Sequence, residues 1–215
     1  DKDHPLHLGL VEDIPYLKTQ QRLTFARCGL INPLSLEEYE ANGGLKGLRR
    51  ALSMAPGDIV EEVIQSGLRG RGGAGFPTGI KWRTVGATEA DQKYIACNAD
   101  EGDSGTFADR MLMEGDPFLL IEGMIIAAYA TGATRGFIYL RYEYPETEKI
   151  LQTAIDQALE KNYLGEKILN KEDFNFDLQI RRGAGAYICG EEGSLLNSLE
   201  GKHPFPRNKP PFPVT

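Results

Sequence analysis

Residues 67–82 read GLRGRGGAGFPTGIKW, and no packed core has a use for such a segment. Six glycines, three cations (Arg69, Arg71 and Lys81) and one proline surround Phe76. Glycine has no Cβ, so it enters φ > 0 at little cost and lets a ligand approach the backbone. Backbone N–H groups flanked by arginine and lysine suit an anion such as a phosphate. The segment therefore predicts a fold arranged around a phosphorylated ligand held against this turn.

The pattern on either side sets the fold class. Residues 1–34 show little periodicity, with a short packed segment at Arg22, Phe25, Ala26 and Cys28 that Pro33 breaks. Ser35 with Glu38 predicts a capping box on a short helix closed by Gly43 and Gly44. Leu45, Leu48 and Leu52 mark a second helix that stops near Pro56. Asp58 is expected to cap a third, with Ile59, Val60, Val63 and Ile64 on its apolar face and Gly67 as its exit. After the glycine turn, residues 94–97 read as a short buried strand leading into the acidic NADEGDSGTFADR. Residues 118–131 form an apolar helix ending at Gly132, and residues 137–141 a second strand. Pro145 opens a helix striped by Ile150, Leu151, Ala154, Ile155, Ala158 and Leu159. Phe174, Phe176, Leu178 and Ile180 alternate as a third strand. GAGAYICG is a second glycine turn, and residues 191–200 are the helix after it. Alternating strands and helices predict an α/β fold: an open, mostly parallel sheet with helices on both faces and a helical lead-in. The expected division is residues 1–57 for the lead-in and 58–215 for the α/β domain.

Charge and composition narrow the partners. The formal net charge of −7 argues against a nucleic-acid or anionic-membrane surface. The apolar run 118–130 carries Glu122 and is too short to span a bilayer. Cys28, Cys97 and Cys189 form no CxxC, so they read as small buried hydrophobes in a reducing compartment, which points to the cytoplasm. The sequence starts at Asp1, without Met, and closes on the extended NKPPFPVT, which together suggest a piece of a longer protein.

Four clusters carry candidate chemistry. Gly70, Gly72 and Gly75 satisfy G-x-G-x-x-G, but the dinucleotide fingerprint needs a strand before the loop, and here a helix precedes it and Pro77 follows. Nucleotide binding is retained and an ordinary Rossmann loop rejected. Asn98, Asp100, Glu101 and Asp103 follow a strand end, where open α/β sheets bind ligands and where carboxylates can accept hydrogen bonds from sugar or ribityl hydroxyls. A solvated acidic loop is the bland alternative. A calcium loop is excluded by spacing. Glu191 and Glu192 sit at a helix N-terminus, where the dipole alone would favour them. The small residues before them would also let a flat ligand lie on the backbone. A carboxylate there grips ribose diols and repels a 2′-phosphate, favouring NAD over NADP. Arg207, Lys209 and Phe212 lie in a proline-rich edge that reads either as a linker or as a cationic, aromatic border to a nucleotide. His4, His7 and His203 pair with no nucleophile.

With these motifs in view, GLRGRGGAGFPTGIKW, CNADEGDSGTFADRMLMEGDP, GAGAYICGEE and SLEGKHPFPRNKPPFP together resemble the flavin- and NADH-binding subunit family. That family is shared by respiratory complex I, NAD-linked hydrogenases and NAD-dependent formate dehydrogenases. DSGTFADRMLMEGDP and the lead-in QQRLTFARCGLINPLSLEEYEANGG look most like the formate dehydrogenase beta subunits. The resemblance implies FMN held by Gly70, Arg71, Gly72, Gly73 and Lys81, with Asn98, Asp100 and Glu101 on its ribityl chain and ring. Tyr187, Gly190, Glu191 and Glu192 would line its other side, with Asp103 nearby. For NAD(H) it implies adenine on Phe76 and Phe212, Glu192 on ribose hydroxyls and Lys209 close by. Thr84 stands where some members carry a third aromatic, and Gly193 where a threonine is usual. The family continues into a ubiquitin-like domain and a helical domain with a cysteine-ligated [4Fe–4S] cluster, both outside this sequence.

The resemblance thus implies NADH/NAD⁺ oxidoreduction on FMN, with hydride passing between nicotinamide and flavin and electrons leaving singly through iron–sulfur clusters. The partners it implies are a thioredoxin-like [2Fe–2S] subunit and a larger iron–sulfur subunit, a molybdenum or tungsten formate dehydrogenase alpha subunit in the formate reading. The alternatives are a complex I or hydrogenase flavoprotein subunit, a flavin-less assembly domain, and a flavin-free Rossmann enzyme.

Overall fold

In a computed structural model, residues 4–10 and 13–214 are described. The two ends on which the reading of a longer parent protein rests, Asp1 and Thr215, lie outside them. Four helices come first: α1 (Pro15–Lys18), α2 (Leu36–Ala41), α3 (Lys46–Leu52) and α4 (Pro56–Gln65). The glycine turn and α5 (Thr78–Ala87) follow. Then come β1 (Tyr94–Ala99), α6 (Ala108–Gly115), α7 (Pro117–Thr131), β2 (Arg135–Leu140), α8 (Pro145–Glu160), β3 (Asp177–Arg182) and α9 (Glu192–Leu199).

The three strands form one parallel sheet in the order β1–β2–β3, with Tyr94 opposite Arg135 and Arg135 opposite Asp177. Helical crossovers are what parallel neighbours require, and α6–α7 and α8 supply them. One face of the sheet presents Ile95, Cys97, Ala99, Ile138, Leu140, Leu178 and Ile180 to α7 and α8, and this is the main core. Among the described residues the other face is covered at its C-terminal end, where Leu195 of α9 and Cys189 pack on Tyr139. β1 is therefore half-buried, unlike the buried strand expected at residues 94–97, and Tyr94 on its open face is 53% exposed.

α7 is the central element. It is apolar on nearly every side and packs against α3, α4, α5, α8 and the sheet. Its one acidic residue, Glu122, is buried and fully engaged. Its carboxylate accepts the Tyr39 hydroxyl at 2.5 Å and the Leu45 and Leu48 amides at 2.8 Å each. Leu45 has φ +62° and offers no side-chain cap, so a carboxylate from α7 caps α3. Ile31, Leu36, Tyr39, Leu45 and Leu48 thereby enter the same core as α7 and α8. A second tie runs from Arg27 to the buried Asp116, at 2.8 Å.

Several local expectations shift. Ser35 caps α2 by accepting the Glu38 amide, but Glu38 reaches back to the Asn32 amide and not to that of Ser35. Pro56, and not Asp58, opens α4; Asp58 lies in its first turn, where its charge still suits the dipole. The third strand begins at Asp177. Phe176 instead pairs with Gly165 in an isolated bridge, although its ring is fully buried. Three helices, α1, α5 and α6, stand where the sequence pattern shows no helix.

Candidate functional site

The glycine segment is a closed turn between two helices. The Gly70 amide donates to the Phe76 carbonyl and the Thr78 amide to the Leu68 carbonyl, both at 2.9 Å. Arg69 donates to the Gly75 carbonyl at 2.8 Å. These bonds leave residues 71–75 as the tip. Gly73 and Gly75 have φ +113° and +61°, which side-chain-bearing residues rarely adopt. A Cβ at Gly72 or Gly73 would meet nothing within 4 Å, so the tip is open to an approaching group. The two arginines thus divide: Arg69 closes the turn, whereas Arg71 makes no ion pair among the described residues and lines the cavity beside it. The turn then runs straight into α5, so Lys81 sits in the first turn of a helix. The strand required of a dinucleotide fingerprint is absent before Gly70, where α4 stands.

That cavity is about 810 Å³, within the usual range for small-molecule and cofactor sites. It lies at the C-terminal end of β1. Of the residues singled out in the sequence, Arg71, Gly72, Asn98, Glu101, Asp103, Tyr187, Gly190 and Glu191 line it. Its apolar wall is Cys97, Leu112, Met113 and Leu120, none of which the sequence assigned to a site. The Cys97 thiol is pushed up to about 12 by burial, with the Asp109 charge adding to it, so it is an inert wall group. Asp109, also unassigned, lines the cavity beside it, and burial with the Glu101 charge raises its pKa. The signal for this wall was the ADRMLM segment, whose Ala108, Leu112 and Met113 fall on the cavity side of α6.

The acidic strand end divides its labour. Asn98 donates to the Gly190 carbonyl at 2.8 Å and accepts the Asp100 amide at 3.2 Å, joining β1 to the second glycine turn. Glu101 has φ +35°. Its carboxylate accepts the Asp109 and Arg110 amides, at 2.8 and 3.0 Å, and the Tyr144 hydroxyl at 2.9 Å. Its carbonyl accepts Arg141. Glu101 therefore caps α6 and is already saturated with donors, which makes it a scaffold for the cavity wall. Asp100 differs. It is 6% exposed and no described residue donates to its carboxylate. Burial raises its pKa, with Arg141 opposing and Glu143 assisting. One of its oxygens lies 3.0 Å from where a Cβ on Gly102 would stand and 3.5 Å from that on Gly190. A carboxylate set between two cavity-lining glycines is a place for a hydroxyl-bearing ligand. Asp103 is exposed and accepts the Thr106 hydroxyl at 3.3 Å.

The second turn is a 3-10 segment, Tyr187–Gly190, that leads into α9. Glu191 is the N-cap of α9 and accepts the Ser194 amide at 2.9 Å. Burial opposes its ionisation, but the Ser194 and Gly193 amides and the Lys209 ammonium outweigh that and hold its pKa low. Lys209 pairs with Glu192 and, at 3.2 Å, with Glu191, and these partners raise its pKa. The proline-rich edge is thus folded onto α9, and its far end meets α5, where the Thr88 hydroxyl and Val214 carbonyl are 3.5 Å apart. Gly70, Gly73, Phe76, Lys81, Asp100, Glu192, Lys209 and Phe212 are not part of the cavity wall. Phe76 and Phe212 are each about half exposed, at 51% and 53%.

These residues fit FMN: an open glycine tip with an arginine for a phosphate, a carboxylate beside the cavity-lining Gly102 and Gly190 for hydroxyls, and an apolar wall. Among the described residues no group of histidines, cysteines and carboxylates could hold a metal ion, and no helix is long and apolar enough to cross a membrane.

Known proteins bear on this geometry. The NADP-reducing hydrogenase subunit HndC of Solidesulfovibrio fructosivorans is 52% identical over 92% of this chain and 40% of its own length. An NADH-quinone oxidoreductase subunit of Aquifex aeolicus is 48% identical over 93% of this chain and 46% of its own. The chain spans less than half the length of these relatives. A crystal structure of an NAD⁺-reducing [NiFe]-hydrogenase in the H₂-reduced state superimposes with a TM-score of 0.68 at 45% identity, over 74% of this chain and 27% of that one. The Nuo51 FMN-binding domain family matches residues 63–215, from the end of α4 through the proline-rich edge. The chain belongs to that family, whose cofactor is FMN.

Proposed function

We propose that this chain is the FMN- and NADH-binding part of an NAD(H)-dependent flavin oxidoreductase, with residues 58–215 as the binding domain and 1–57 as its lead-in. The observation that carries the reading is the cavity at the end of β1, which Arg71, Gly72, Asn98 and Glu191 line together, with the Asp100 carboxylate beside its Gly102 and Gly190. FMN would supply the chemistry, accepting or returning a hydride and passing electrons on one at a time. The chain's own residues bind and orient. Arg71 and the amides of Gly72 and Gly73 neutralise a phosphate, as anion-binding turns do. Asp100 and Asn98 fix hydroxyls of the ribityl chain. Leu112, Met113 and Leu120 exclude water from one side. Lys81 adds a cation from the start of α5. Phe76 and Phe212 offer faces for adenine, and Glu192 accepts ribose hydroxyls while Lys209 balances its charge.

NAD is the preferred dinucleotide in this reading, because Glu191 and Glu192 with Lys209 leave one net negative charge against a 2′-phosphate. The preference is softened by that lysine, and one relative is named as NADP-reducing. As for the parent complex, the DSGTFADRMLMEGDP wording supports a cytoplasmic, soluble formate dehydrogenase beta subunit. It would work with a thioredoxin-like [2Fe–2S] subunit, a molybdenum or tungsten alpha subunit and a [4Fe–4S] cluster beyond residue 215. The hydrogenase and NADH-quinone oxidoreductase names of the relatives favour the second reading, a flavoprotein subunit of one of those complexes. Purifying the full-length protein and identifying its released flavin tests the cofactor. FMN at about one per chain is expected, and a colourless protein that binds none on reconstitution would return the flavin-less assembly reading.

A further inference from the structure

The segment 205–214 has no helix or strand of its own, yet it is fastened at four points. Asn197, one turn into α9 and 6% exposed, spends both ends of its amide on it. Its Nδ2 donates to the Phe205 carbonyl at 2.9 Å, and its Oδ1 accepts Arg207 Nε at 2.8 Å. Arg207 goes on to Glu200 at 2.5 Å. Gly193, at the first turn of the same helix, is the second point: a Cβ there would stand 2.8 Å from the Arg207 amide nitrogen and 3.0 Å from a Glu191 oxygen. Lys209 on the Glu191–Glu192 pair is the third, and Val214 on Thr88, the C-cap of α5, the fourth. Residues 193 and 197 are four apart and so share one face of α9. That face is shaped for this segment: a notch with no side chain, then a buried amide that reads both a carbonyl and a guanidinium.

We propose that Gly193 and Asn197 are positioning residues for the dinucleotide. They seat the 205–214 strap on α9, so that Lys209 meets the acidic pair and Phe212 stands at the edge of the site. Neither touches the reacting atoms; each acts through Lys209 and Phe212. This rests on the FMN/NADH reading, which supplies the dinucleotide. The fastening itself does not depend on that reading.

Two variants of the full-length flavoprotein test it. Asn197→Leu keeps side-chain bulk and removes both hydrogen bonds. Gly193→Ala leaves the amide in place and obstructs the notch. Each loss of roughly 1.4 kcal/mol appears as tenfold in an equilibrium constant, and one or two hydrogen bonds are of that order. Two measurements are made on each protein: NADH–ferricyanide kinetics, and the rate of tryptic cleavage at Arg207–Asn208 against the exposed Arg22–Leu23 bond. In both variants KM for NADH should rise about tenfold with kcat and FMN content unchanged, and cleavage after Arg207 should accelerate several-fold. NADH should slow that cleavage in the wild type and do so less in the variants. Unchanged KM and unchanged cleavage in flavin-loaded variants would overturn the proposal. So would a parallel loss of FMN and kcat, which would mark a merely structural role. If one variant fails to fold, the other decides. If wild-type protein shows no NADH-dependent activity, the functional reading fails, and cleavage without nucleotide still judges the strap.

Discussion

At the scale of single residues, acidic positions that look alike in the sequence have separate work. Glu101 holds the start of α6, Glu191 holds the start of α9, and Asp100 holds nothing among the described residues through its carboxylate. Burial works against ionisation of the Asp100 carboxyl, with Arg141 opposing and Glu143 assisting. Its folded pKa is raised, so the penalty is present above that pKa and relieved as pH falls through it. Asp100→Asn should therefore raise the stability of the flavin-free protein modestly at neutral pH, with the gain fading in acid, while FMN retention falls. Chemical denaturation across pH, alongside flavin content, checks both halves; a less stable variant with full flavin would contradict the assignment. Glu192 and Lys209 make a second pair of opposed effects. Glu192→Gln should raise the ratio of NADPH to NADH use, and Lys209→Ala should lower it, because the first removes negative charge and the second exposes it. Steady-state kinetics with both nucleotides would show whether the two ratios move apart; a shift in the same direction would remove the electrostatic account.

At the scale of elements, the glycine turn works because α4 and α5 clamp its two ends. Gly79 is the contact between them: a Cβ there would lie 2.4 Å from Ile64 Cγ1 and 2.6 Å from the Ile64 amide nitrogen. Backbone cannot yield as a side-chain tip does, so Gly79→Ala should push the helices apart at a cost of about 1–3 kcal/mol. Thermal unfolding should show that loss together with weaker FMN retention. A variant with wild-type stability and full flavin would mean the clamp is not needed. This helix pair also shows where the sequence is readable. α7 is legible from its long apolar run closed by Gly132, and α8 from Pro145 and its apolar spacing, each to within a residue or two. α5 is not, since TGIKWRTVGA has two glycines and no apolar stripe; only packing of Gly79 and Trp82 on α4 and α7 makes it a helix. α6 is hidden for another reason: its cap comes from Glu101, seven residues before it, and not from a neighbouring serine or aspartate. The saturated state of Glu101 and the empty state of Asp100 depend on Tyr144, Arg141 and Gly190, which are distant in sequence, so composition could place both at the site but not tell them apart.

At the scale of the whole molecule, α7 is the hub that relates the lead-in, the sheet and the cavity. Through Glu122 it caps α3, through Asp116 at its start it holds Arg27, and through Leu120 it supplies part of the cavity wall. Parallel strands then set Asn98 and Asp100 at one end of the sheet, where α9 brings Glu191 and the strap brings Lys209. The glycine turn, with Arg71 at its tip, closes the same end. The central claim is that this shared end holds a flavin which a nicotinamide can reduce. Anaerobic titration of the full-length, FMN-loaded protein with NADH, followed in the visible spectrum, tests it directly. The account predicts that the visible flavin band bleaches within the mixing time, and that Asp100→Asn protein reconstituted to equal flavin content loses FMN more readily. A flavin that stays oxidised in excess NADH would contradict it.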